Sequence, residues 1–122
     1  MAKTPANAAT TALKAALPPG IKVIEIPEDA EVLVDVDVND MVIPYTVAAD
    51  GNVVIKSLVD RREPLSLAAG THRLGWSFSH AAKGWMHKIA LKVDGSEKLL
   101  EKKSEASKDQ DHSVGVVSLV VA

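Results

Sequence analysis

The side chains of this 122-residue chain best suited to proton or ligand chemistry are its four histidines. His80 and His87 bracket Trp85. His112 ends a polar stretch that holds Lys108, Asp109 and Asp111. Imidazole titrates near neutral pH and is the commonest metal ligand, so such residues can act as acid, base or donor. A zinc site needs three or four donors converging at about 2.0–2.1 Å. The paired spacings HxH and HExxH are both absent. Histidines packed at sheet edges, or satisfied by backbone and water, account for the pattern, so no metal ligand and no cofactor is assigned.

Nucleophilic chemistry would need a serine beside a base. Ser77 and Ser79 precede His80, and Asp109 or Asp111 could supply an acid. The GxSxG elbow that presents a hydrolase serine is incomplete, because Gly75-Trp76-Ser77-Phe78-Ser79 lacks its second glycine. Asp35-Val-Asp37-Val-Asn39-Asp40 sets oxygens at alternate positions, as a calcium loop does. A calcium loop also needs glycine at its sixth position and glutamate at its twelfth, where this chain has Asp40 and Thr46. The valines between the acids favour a solvated strand face instead. The glycines stand singly, and none opens a phosphate-cradling loop. No catalytic residue is assigned.

Stacking is the third chemistry. Trp76 lies between Leu74 and Phe78 on an apolar face and is expected in the core. Trp85 follows Gly84 at the mouth of a turn and is expected to be partly exposed, where it could stack on a sugar. The candidate ligand surface is therefore His80, Lys83, Trp85 and His87, joined by Lys108, Asp109, Asp111 and His112.

The elements that would position these groups are strands. Val32, Val34, Val36 and Val38 alternate with polar residues, the pattern of a half-buried strand. Asn39-Asp40 would turn it into a hairpin with Met41–Ala49, setting Ile43 opposite Val36 and Tyr45 opposite Val34. Pro44 would place that strand at an edge or a bulge. Asp50-Gly51 is the strongest hairpin signal of the first half and leads into Asn52–Val59. Asp60–Glu63 reads as a polar break before a short strand from Pro64 to Ala68. A four-residue loop, His80–Lys83, would join Thr71–Ser79 to Trp85–Val93, with Phe78 beside Trp85 and Trp76 beside His87. Asp94-Gly95 would pair Lys92 with Glu97 and Lys88 with Glu101 across one outer face. Ser104–His112 is a polar loop. Val114–Val121, apolar on both faces, reads as a central or covered strand. Leu65-x-Leu67-x-x-Gly70-x-His72-x-Leu74 resembles the strand–turn–strand step of immunoglobulin-like and PEGA-type modules over a short stretch, and names no family.

These elements predict one all-β domain over residues 20–122: an antiparallel β-sandwich, immunoglobulin-like or jelly-roll-like, of eight or nine short strands, with a small β-barrel as the alternative. Residues 1–19 would be a short helix or a mobile tail. With 47% hydrophobic residues the chain can fill a core, which must be mostly aliphatic, since it has two Trp, one Tyr and one Phe. It has no cysteine and a net charge of −2, so disulfides are excluded and no basic field attracts nucleic acid or an anionic membrane. No signal peptide or membrane span is read, making the cytoplasm the default location. The expected function is a soluble, non-catalytic binding or assembly module that meets a protein partner or another copy of itself. A lectin-like or small-ligand domain is the alternative, and a metal-dependent or hydrolytic enzyme ranks last.

Overall fold

A computed structural model describes residues 22–80, 83–104 and 112–122. The expected N-terminal helix or tail, and most of the polar loop before His112, lie outside the described residues. Nine strands follow one another: β1 (Val23–Ile26), β2 (Val32–Asp37), β3 (Tyr45–Ala49), β4 (Asn52–Ser57), β5 (Arg61–Leu65), β6 (Gly70–Ser79), β7 (Met86–Val93), β8 (Ser96–Ser104) and β9 (His112–Val121). They form a five-stranded sheet, ordered β1-β9-β6-β3-β4, and a four-stranded sheet, ordered β5-β2-β7-β8. The two pack face to face as a β-sandwich rather than closing into a barrel. No described helix is long and apolar enough to cross a membrane.

The period-two pattern explains the core. Val32, Val34, Val36 and Val38 are buried, while Asp35 and Asp37 face outward. Leu74, Trp76 and Phe78 of β6 face them from the other sheet, with Ile89, Leu91 and Val93 of β7 completing the interior. β9 is internal, parallel to β1 and antiparallel to β6, which is why its apolar residues fall on both faces.

Two of the expected hairpins form. Asp50 and Gly51 both take positive φ, 50° and 82°, and join β3 to β4. Asp94 and Gly95 repeat this geometry, 50° and 82°, between β7 and β8, where Lys92 opposes Glu97 as expected. This is the two-residue turn whose twist matches paired strands.

The other two are corrected. Asn39 and Asp40 adopt positive φ, and the Met41 N–H donates to the Val38 carbonyl at 3.2 Å, so the turn exists. It does not make a hairpin, because the chain then leaves the four-stranded sheet and enters the other one. β2 pairs with β5 and β7, and β3 with β4 and β6. Pro44 precedes β3 and accepts from the Ser79 N–H at 2.9 Å, while β3 itself lies inside its sheet rather than at an edge. β6 and β7 likewise belong to different sheets, so they face each other and do not pair. Asp60–Glu63 is not a break either. Arg61–Leu65 is an edge strand on β2, where charges and the donor-less Pro64 are tolerated, and Arg62 reaches Asp35 at 3.5 Å.

Candidate functional site

Where β6 ends and β7 begins, four inward side chains meet: Phe78 on β6, His80 just past its end, Trp85 just before β7 and His87 on it. His80 lies on Trp85 with ring centroids 3.6 Å apart and planes 3° from parallel. Phe78 lies on His87 at 3.9 Å and 3°. Tyr45 flanks Phe78 at 5.1 Å, and its hydroxyl donates to the Val59 carbonyl at 2.6 Å. Relative exposure is 4% for His80, 7% for Trp85 and 0% for His87. The expected exposure of Trp85 is therefore corrected: the imidazole of His80 covers its face, the surface a sugar would need.

A bulge between Ile89 and Ala90 gives β8 one extra residue. The bulge overturns the expected Lys88–Glu101 pairing. Glu101 instead opposes Ile89, and its carboxylate turns inward to accept from His87 Nε2 at 2.7 Å. Lys88 opposes Lys102 and reaches Glu97 at 2.9 Å. Lys103 stands 3.7 Å from the second Glu101 oxygen. Re-aiming a side chain is what a bulge does to a ladder. Glu101 was not among the expected site residues. The adjacent pair Leu99-Leu100, which breaks the alternation of β8, was the available signal.

Burial pushes His80 down to about 4, and a charge on His87 would push it the same way, with Glu101 opposing. Burial also lowers His87 against the upward pull of Glu101. Both rings are thus held neutral near pH 7. Neither nitrogen of His80, nor Nδ1 of His87, has a hydrogen-bond partner among the described residues. Those residues contain no group of three or more His, Asp or Glu that could hold a metal ion. The cluster can pack and exclude water, since the ring nitrogens without partners among the described residues are buried.

The remaining candidates lie elsewhere. Lys83 is exposed at the turn before Trp85. Lys108, Asp109 and Asp111 are outside the described residues. His112 begins β9 opposite Ser79 on the outer face, with Nε2 3.2 Å from Ser77 Oγ. The serine–histidine contact therefore joins Ser77 to His112 and not to its sequence neighbour His80, because alternation turns Ser77 outward and His80 inward. His72, at the opposite end of β6, contacts Asp50 Oδ2 at 2.6 Å and the Ala68 carbonyl at 2.7 Å. Two acceptors require two N–H donors, and the Asp50 hydrogen bond raises the His72 pKa accordingly.

The outer face of the five-stranded sheet carries apolar side chains that meet solvent. Val53, Ala48, Gly75 and Val116 oppose one another in a row across four strands, and Lys56, Thr46, Ser77 and Val114 form the next row. Val53, Val114 and Val116 are 61%, 68% and 46% exposed. Comparison with protein-family models, curated proteins and solved structures finds no match for the chain.

Proposed function

We propose that this domain is a non-catalytic binding and assembly module, and that it makes its contacts through the outer face of the five-stranded sheet. The observation that carries this reading is the row Val53–Ala48–Gly75–Val116 with Val114 beside it. Three exposed valines on a flat, small-residue ground suit a second apolar sheet face. The sealing of Trp85 supports contact through this face over sugar binding at that ring. A second copy of the chain is the first partner to test, since sheet faces and edges readily self-associate. Sedimentation equilibrium over a wide concentration range is expected to show a reversible oligomer that Val116→Lys dissociates without lowering the melting temperature. A monomer at every concentration would remove the self-assembly reading.

A further inference from the structure

Beside the valines, a depression of about 350 Å³ opens on the same outer face, between β3, β4, the end of β6 and the start of β9. Strand register builds it. Lys56 opposes Thr46, Thr46 opposes Ser77, and Ser79 opposes His112, and directly opposed residues project from one face. Ser77 and Ser79 share that face because they are two apart on β6. Pro44 and Leu58 supply an apolar end.

The charge balance here differs from that on the opposite sheet. There, Asp35 meets both Arg62 and Lys92, and Lys88 meets Glu97, so Asp35, Arg62 and Lys88 of that groove each have a partner of opposite charge. Among the described residues, the depression is lined by an ammonium, an imidazole and several hydroxyls, and by no carboxylate. Each of these polar groups can donate a hydrogen bond, and Lys56 forms no ion pair among the described residues. Ser77 Oγ, 3.2 Å from His112 Nε2, holds the imidazole at the rim. Convergent donors with no carboxylate among the described residues to neutralise them match an oxyanion, and the volume is that of a small-molecule pocket.

We propose that this depression binds a small organic anion, its carboxylate or phosphate group held by Lys56, His112 and the Thr46, Ser77 and Ser79 hydroxyls, and its apolar part against Pro44 and Leu58. The site shares the outer face with the assembly reading, Ser77 standing opposite Val114, but uses none of the three valines as a ligand. Binding in the Val116→Lys variant distinguishes the two ideas.

Phenyl phosphate and phenylacetate are titrated into the full chain and followed by amide and His112 ring chemical shifts, with benzyl alcohol as the neutral control. Saturable shifts at Thr46, Ser77, Ser79 and His112 are expected with at least one anion and not with the alcohol. The anion that binds identifies the group the site selects. Lys56→Gln and His112→Gln are each expected to weaken binding about tenfold, the loss of one charge-assisted hydrogen bond. Both side chains are exposed, so a wild-type amide spectrum will verify that the variants fold. The proposal is overturned if neither anion gives saturable shifts, if the shifts lie elsewhere, if benzyl alcohol binds as tightly, or if both variants bind as wild type does.

Discussion

His72 on β6 and His80 just past its end sit in opposite electrostatic settings. Burial without a partner among the described residues lowers the His80 pKa to about 4, and the Asp50 hydrogen bond raises that of His72. In an unfolded chain both would titrate near 6.5. Below that pH the unfolded state takes up a proton at His80 that the fold refuses until about 4. Stability at this residue is therefore full above pH 6.5 and is lost as the pH falls toward 4, by about 3 kcal/mol. His87, also lowered, adds to the same acid loss. His72 acts with the opposite sign: its contribution is full below pH 6.5 and disappears as the pH rises through its elevated pKa. His80→Phe separates the two. Phenylalanine keeps the stack on Trp85 and removes two buried nitrogens that have no partner among the described residues. Urea titrations from pH 4 to 8 are expected to show His80→Phe at least as stable as wild type at pH 7, with a shallower acid limb. An unchanged acid limb would mean that His80 is solvated in solution.

Among the elements, β9 is held to β6 by a position where only glycine fits. A Cβ on Gly115 would lie 2.4 Å from ring atoms of Trp76, the residue directly opposite it. Gly115→Ala must move a buried indole wedged in the core, and is expected to destabilise the fold by about 3 kcal/mol in chemical denaturation. Val114→Ala, one residue away and exposed, is expected to be nearly neutral. What was legible at this scale was face and turn. The valines of β2 and the inward residues of β6 and β7 were read correctly from their alternation, as were the turns at Asp50-Gly51 and Asp94-Gly95. What alternation cannot reveal is whether two strands with matching apolar faces lie side by side in one sheet or opposite each other in two. Both arrangements bury the same side chains. Hence the turn chemistry at Asn39-Asp40 is real and the pairing inferred from it is not. The same ambiguity set Trp85 at a hairpin mouth, where it would be open, when it lies between the two sheets, where His80 closes over it. Glu101 escaped notice because one extra residue in β8 reverses which face it occupies, and period-two reasoning assumes that no residue is extra.

For the whole molecule, the order of the strands in space decides what the chain can lose. β9 comes last in sequence yet lies between β1 and β6, so the five-stranded sheet is closed by the final residues of the chain. Ser118–Val121 supply all four positions that pair with β1, and they also pair with the first half of β6. Leu119 is fully buried and Val121 nearly so. Ending the chain after Val117 would strip β1 of its one in-sheet neighbour among the described residues, expose Ile24 and Ile26, and leave Gly70–Arg73 as an unpaired edge. A surface tail could be trimmed with little effect, but here the loss falls on a central strand and on the core at once. The truncated chain is expected to give a disordered circular dichroism spectrum with no cooperative melt, while removal of Ala122 alone leaves the melt intact. If the version ending at Val117 still unfolds cooperatively, the four-stranded sheet and the remaining strands hold the core without β1.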